Sequence, residues 1–406
     1  EVVLARMLGL ELYGLLVLIR AFVDILNSLF DFGVWETATK YVGTFLTQGN
    51  KDKTKAMIKL SYVVDISSGL FAFFIVYLSA NIASEYIIKS PESAPLVSIY
   101  ALSLLISTSN KTSDALFRVF DRFKTMVLIL TFQNFIRLML VIIVLYMGMG
   151  LEGVLISFII ASFLGFSMRI WSVTNILNQN EIKNWWSVRL GIIKQHFKEI
   201  AWFLANTSFN ATIRMTADNF LGVLVLGYIA GKEAVAFYKV ARSVVKVLTS
   251  IADPLYETIY PELVRILSSN QINEYKSIVK YAAKNLMKIT APIAAVIIIF
   301  SDTILSLIFG NEYIPAKNTV RIITLAIIIS QPIFWISPSL LAFGRSGLKN
   351  LINSSCAVFY ILLLLLLVPT YSYNGAAGAL LGYHVIITVV SLIVIRHVYK
   401  KQAEII

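Results

Sequence analysis

One cysteine, Cys356, stands in the whole chain, so no disulfide can form within it. The three histidines, His196, His384 and His397, lie far apart and carry no metal-ligand spacing. Charge is scarce: Asp, Glu, Lys and Arg make up 14% of residues, against about 25% in soluble domains. That scarcity excludes an ordinary water-soluble domain. A mean hydropathy of +0.77, with long apolar runs down the chain, describes a polytopic membrane protein. Acidic residues are the scarcer sign, 23 against 35 Lys and Arg, which leaves a net charge of +12. The excess is scattered through short loops, a pattern of membrane topology and not the clustered footprint of a nucleic-acid binder.

What is present is most informative between Glu11 and Lys59, ELYGLLVLIRAFVDILNSLFDFGVWETATKYVGTFLTQGNKDKTKAMIK. At 100° per residue, Arg20, Asp24, Asn27 and Asp31 fall in a stripe about 60° wide on an otherwise apolar helix. A charge at bilayer depth is costly, so the stripe is expected to face a bundle interior or a water-filled cavity. The pattern recurs. Glu233, Arg242, Ser250, Asp253 and Glu274 each stand 222 positions after Glu11, Arg20, Ser28, Asp31 and Asp52. In this copy Lys239, Arg242, Lys246, Asp253 and Glu257 share one face. Farther on, Lys349, Gly375 and Gly378 follow Lys124, Gly150 and Gly153 by 225 positions. Two equivalent halves are expected.

Apolar segments predict spans near 12–45, 58–80, 95–117, 125–147, 152–175, 200–228, 234–262, 285–309, 315–343, 350–370 and 376–398. Eleven is an odd number for a duplicated chain. The partner of 200–228 would end around Arg6, so a first helix of about 20–25 residues is expected ahead of the sequence. The expected fold is an all-α polytopic membrane protein. It has two parallel six-helix lobes around a central cavity, with twelve spans of which the first is mostly missing. The lobes are placed at 1–177 and 199–406. Between them, at 178–198, Ile182, Trp186, Leu190, Ile193 and Phe197 share one face and predict an amphipathic linker helix in the cytoplasmic interface. Lysine and arginine crowd alternate loops, from Lys51–Lys59 through Arg118–Lys124 and Arg345–Lys349 to Arg396–Lys401. The opposite loops hold mainly Glu11, Glu85, Glu92, Glu152, Glu233, Asp302 and Glu312. The basic loops, and with them the C-terminus, are expected in the cytoplasm.

Intramembrane charges are the candidate functional residues. Arg20, Arg137, Arg214, Lys239 and Arg242 are candidate contacts for an anionic substrate, since guanidinium forks suit phosphate oxygens. Asp24, Asp31, Asp218 and Asp253 are candidates for charge pairing or for coupling to H⁺ or Na⁺, because burial makes a carboxylate titrate more readily. Arg20–Asp24 and Arg214–Asp218 also have the i,i+4 spacing of structural salt bridges. Lys111, Arg118 and Arg169 read as side chains snorkelling to the interface. Beyond a coupling ion, no cofactor and no metal is expected. GMGLEG at 148–153 matches G-x-G-x-x-G but joins two apolar spans without a βαβ unit, so it reads as an inter-helix turn.

RMLGLELYG at 6–14, LFDFGVWETATKYVG at 29–43 and LFRVFDRFK at 116–124 resemble the oligosaccharide flippases. These are O-antigen flippase-like polysaccharide export proteins of the multidrug/oligosaccharidyl-lipid/polysaccharide exporter superfamily. GKEAVAFYKVAR at 231–242 looks like their second-half counterpart of the first motif, with Ala236 where glycine is usual. The resemblance implies a two-lobed, twelve-helix transporter of the plasma or inner membrane. It implies translocation of a polyprenyl-pyrophosphate-linked oligosaccharide from the cytoplasmic to the outer leaflet by alternating access, for surface polysaccharide or glycan biosynthesis. The first, second, seventh and eighth helices would line the groove, and the polar stripes fall on the second, seventh and eighth. The expected partners are that lipid-linked oligosaccharide, membrane lipids and glycan-assembly enzymes; the chain is expected to be a monomer and to bind no nucleic acid. The alternative on the same fold is an ion-coupled drug or cation antiporter, whose cavity should be dominated by carboxylates. A membrane glycosyltransferase or polymerase would need a sizeable outer loop with catalytic acids. The outer loops are short, so the chain is expected not to be an enzyme.

Overall fold

The computed structural model describes residues 1–30, 32–217, 220–268 and 272–403, and among them there is no strand. Among the described residues, eight helical stretches are long and apolar enough to cross a membrane. Helix α6, Phe123–Tyr146, shows what such a chain requires of its solvent. Val127, Leu128, Phe132, Phe135 and Ile143 are exposed along it. In water each would forgo roughly 1.5–3 kcal/mol of burial, whereas lipid tails are as apolar as the side chains.

The chain forms two compact units. The first, Ile19–Leu221, begins within α1 (Val2–Leu29). It continues through α2 (Val34–Thr47), α3 (Lys51–Ile82), α4 (Ala94–Ser107), α5 (Asn110–Val119), α6, α7 (Gly150–Gln179) and α8 (Phe197–Ala217). The span expected over 12–45 is two helices. Gly33 takes φ +62 just before α2, and a Cβ there would stand 2.1 Å from Thr207 Oγ1 of α8, so only glycine fits. The span expected over 95–117 also breaks, at Thr108 and Ser109. Asp65 of α3, 2% exposed, accepts the Thr112 amide and hydroxyl hydrogen bonds, both at 3.0 Å. It thereby caps α5 from a neighbouring helix. GMGLEG is the turn between α6 and α7, with φ +73 at Gly148 and +57 at Gly150.

No amphipathic helix forms over 178–198; two 3₁₀ turns, Trp185–Ser187 and Leu190–His196, take its place. Left-handed Asn184 and extended Val188 and Arg189 interrupt the helical path. The apolar residues are drawn inward instead of onto lipid. Ile182 and Ile193 are fully buried in the core of the first unit, and Trp185 stacks on Tyr62 at 5.0 Å. Lys51 hydrogen-bonds Glu181 at the start of this segment and holds its carboxyl below the usual range.

The second unit is Glu1–Leu18 with Gly222–Ile406. It contains most of α9 (Phe220–Ser268), then α10 (Ile272–Ile299), α11 (Ser301–Ile308), α12 (Lys317–Ser330), α13 (Ile336–Ala342) and α14 (Ser346–Ala403). Two expected spans, 350–370 and 376–398, are the arms of α14 on either side of non-helical Ser372. The span expected at 315–343 divides into α12 and α13 at a 3₁₀ turn containing Pro332. The sequence repeat appears in the backbone itself. Gly9 (φ 74°, ψ 175°) and Gly231 (φ 84°, ψ 177°), 222 positions apart, interrupt α1 and α9 in the same conformation.

This division differs from lobes at 1–177 and 199–406, and specific contacts explain why. Lys232 Nζ lies 2.5 Å from Glu11 Oε1, and a Cβ on Gly14 would stand 1.9 Å from the Lys232 carbonyl oxygen. Arg6 donates to the Leu307 carbonyl and, at 2.7 Å, to that of Ile308, while the Tyr313 hydroxyl donates to the Ala5 carbonyl at 3.0 Å. These bonds tie residues 1–18 into the second unit. Residues 199–221 join the first, where the Tyr41 hydroxyl donates to Glu199 at 2.7 Å and its ring meets Phe203 edge-on.

Candidate functional site

Arg20 lies near the middle of the longer arm of α1, and Arg137 near the middle of α6. In the first unit both guanidiniums stand over the same ring, Phe158 of α7, at 5.4 and 5.5 Å from its centroid. Arg20 also hydrogen-bonds the hydroxyl of buried Tyr100 on α4, and Asp24 and Arg137 act on that hydroxyl electrostatically. One carboxylate thus stands with two guanidiniums that repel each other. Arg137 Nε is buried and has no hydrogen-bond partner among the described residues. A cation–π contact contributes about 0.5–2 kcal/mol, less than the ~2.5–3.5 kcal/mol cost of a charge at the bilayer centre. The ring alone does not offset two such charges. An anion would, and two arginine forks favour a phosphate or pyrophosphate group.

The second unit carries the repeat-related arrangement. Arg242 of α9 is half-buried and acts electrostatically on Tyr360 and His384, one on each arm of α14. His384 follows Phe158 by 226 positions, within one residue of the later repeat offset. Arg20 stands over Phe158, and its repeat counterpart Arg242 acts electrostatically on His384, at the matching position of the matching helix.

The remaining candidates are dispersed. Lys239 lies 3.9 Å from Glu1. Asp253 is exposed and sits three turns beyond Arg242, roughly 16 Å along α9, so the two are not brought together. Asp31, Asp218 and the Arg214 side chain lie outside the described residues.

Arg169 does not snorkel. It is 3% exposed; Nε lies 3.4 Å from Asp114 Oδ1, and Nη1 donates to Gln133 Oε1 at 3.0 Å. A carboxylate on a neighbouring helix, which spacing along α7 cannot reveal, keeps it inside. Arg118 is exposed and lies over Trp35 at 4.6 Å. Sequence reasoning misses Asp65, although a lone carboxylate in SYVVDISS, within the span at 58–80, is a signal of the same kind as Arg20. No cluster of three or more His, Cys, Asp or Glu able to hold a metal occurs among the described residues.

The model of a family described as polysaccharide biosynthesis protein matches residues 3–318. The chain belongs to that family. Inner membrane protein YghQ of Escherichia coli (strain K12) is 22% identical over 312 residues, 76% of this chain and 86% of YghQ. The probable low-salt glycan biosynthesis flippase Agl15 of Haloferax volcanii is 24% identical over 161 residues, 40% of this chain and 34% of Agl15. An inward-facing multidrug resistance MATE family transporter of the MOP superfamily matches with a TM-score of 0.83 at 13% identity. That match covers 99% of this chain and 95% of the transporter. Lipid II flippase MurJ in an inward closed conformation matches at 0.75 and 15%, covering 99% and 86%. At these identities the structural likeness shows the fold, and the fold is that of the MATE transporters and MurJ. This family member is a multi-pass membrane protein with a transporter architecture.

Proposed function

We propose that the chain is a flippase for a polyprenyl-pyrophosphate-linked oligosaccharide, carried from the cytoplasmic to the outer leaflet by alternating access. The observation that carries this reading is the pair of guanidiniums, Arg20 and Arg137, converging on Phe158 at membrane depth. Their charge suits the pyrophosphate, while the lipid tail can stay in the bilayer as the sugar crosses. Arg242 is the corresponding contact in the second half, with Arg214 and Lys239 as further head-group contacts. Asp24 tempers the local charge, and Asp31, Asp218 and Asp253 are the carboxylates open to coupling with H⁺ or Na⁺. The functional halves follow the repeat, near 1–177 and 199–406. Membership of the family and the names of Agl15 and MurJ support this reading. So does YghQ, named an inner membrane protein, for residence in the cell membrane. The basic loops and the C-terminus face the cytoplasm by the charge rule, and the working unit is a monomer that receives its lipid from glycan-assembly enzymes.

The fold match to a multidrug transporter favours a second reading, an ion-coupled drug or cation antiporter. A cation cavity needs carboxylates in excess, and the Arg20–Arg137 cluster has the opposite balance. A thermal-shift titration of the purified chain separates the two. Short-chain polyprenyl pyrophosphate should raise the unfolding temperature of the wild type, the parent alcohol should not, and the effect should vanish in Arg20→Gln/Arg137→Gln. An equal response to alcohol and pyrophosphate, or an undiminished response in the double variant, overturns the head-group site.

A further inference from the structure

The second unit carries a half-open cavity of about 200 Å³ where the end of α12, the 331–333 turn, α13 and both arms of α14 meet. Ile333, Phe334, Ile336, Leu340, Ile352 and Ile387 form most of its wall. Polar residues line it from every side: Ser330 at the end of α12, Ser337 on α13, Lys349 and Asn353 at the start of α14, and Tyr383, His384 and Ser391 on its second arm. The charge around the cavity is one-sided. Lys349 is the charged member of the lining, and the sequence holds no Asp or Glu from Tyr313 through Ala403. The helices that build the cavity therefore bring no carboxylate to neutralise it.

We propose that this cavity is a second anion site, which holds the phosphate head group of an anionic membrane phospholipid. Size favours a small head group: 200 Å³ is below the roughly 300–1,000 Å³ of pockets for drug-sized ligands. Depth points to a lipid over a soluble phosphate. Lys349 lies in the first turn of α14, directly after the short connection from α13. A tight connection between two apolar helices sits at the membrane–water boundary, where lipid phosphates are found. Lys349 supplies the charge-assisted contact, and Asn353 and Ser391 supply neutral hydrogen bonds.

Native mass spectrometry of the full chain tests this, with phosphatidylglycerol, phosphatidylcholine and inorganic phosphate titrated separately. Phosphatidylglycerol should bind in preference to phosphatidylcholine, and Lys349→Gln should weaken it roughly tenfold. Arg345→Gln makes the same charge change in the same turn, outside the cavity lining, and should leave binding unchanged. Ser391→Leu keeps Lys349 but fills the cavity; it should also reduce binding and decides the matter if Lys349→Gln fails to fold. Equal lipid binding by wild type and both cavity variants overturns the site, as does an equal loss in Arg345→Gln. Saturation by inorganic phosphate alone overturns the lipid as its source. The variants leave Arg20, Arg137 and Arg242 in place, so failure of this site is distinguishable from failure of the flippase reading.

Discussion

Replacing Arg137 by methionine separates a binding role from a structural one through the signs of two effects. The substitution removes a charge from bilayer depth, a gain of about 2.5–3.5 kcal/mol on insertion scales, and relieves the repulsion between Arg137 and Arg20. It gives up the contact with Phe158 at 5.5 Å, worth about 0.5–2 kcal/mol. The balance is stabilising by about 0.5–3 kcal/mol. Transport moves the other way. Loss of a hydrogen bond between charged groups costs about 1.5–3 kcal/mol, which is roughly a tenfold to hundredfold fall in rate at subsaturating lipid. The assay pairs thermal unfolding in detergent with initial flipping rates of a labelled polyprenyl-pyrophosphate oligosaccharide in proteoliposomes. An unfolding temperature that falls by several degrees while flipping is unchanged would refute the reasoning and make Arg137 a structural residue.

Two further perturbations address the packing that positions the site. Gly14→Ala places a Cβ 1.9 Å from the Lys232 carbonyl oxygen, and forced overpacking of this kind costs about 1–3 kcal/mol; an unchanged unfolding temperature would contradict the close approach. Arg169→Met leaves Asp114 and Gln133 without their buried partner and should destabilise by about 3 kcal/mol. Adding Asp114→Leu should restore most of that loss in a denaturation double-mutant cycle, and a purely additive result would show that the two residues do not depend on each other.

Much of the architecture was legible because it follows from hydropathy and duplication. The 222-residue offset between Arg20 and Arg242 has a counterpart in the matching backbone of Gly9 and Gly231, and Arg20, Asp24 and Arg137 lie together around the Tyr100 hydroxyl. What escaped sequence reasoning was decided between helices. The break before α5 depends on Asp65, 47 positions earlier, reaching the Thr112 amide. Arg169 looks like a snorkelling residue until Asp114 is seen beside it. The linker has the periodicity of an amphipathic helix, yet Ile182 and Ile193 find a protein core to fill, and tertiary burial overrides the local pattern. The break at Gly33 did carry a signal, since a glycine inside an apolar helix often marks a left-handed turn.

The measurement closest to the central claim is translocation by the wild-type chain in proteoliposomes, comparing a labelled polyprenyl-pyrophosphate oligosaccharide with a cationic dye under imposed H⁺ and Na⁺ gradients. A lipid flippase with a cationic site moves the lipid-linked glycan and leaves the dye behind. Dye transport without lipid flipping would contradict the account and place the chain with the cation antiporters of the same fold.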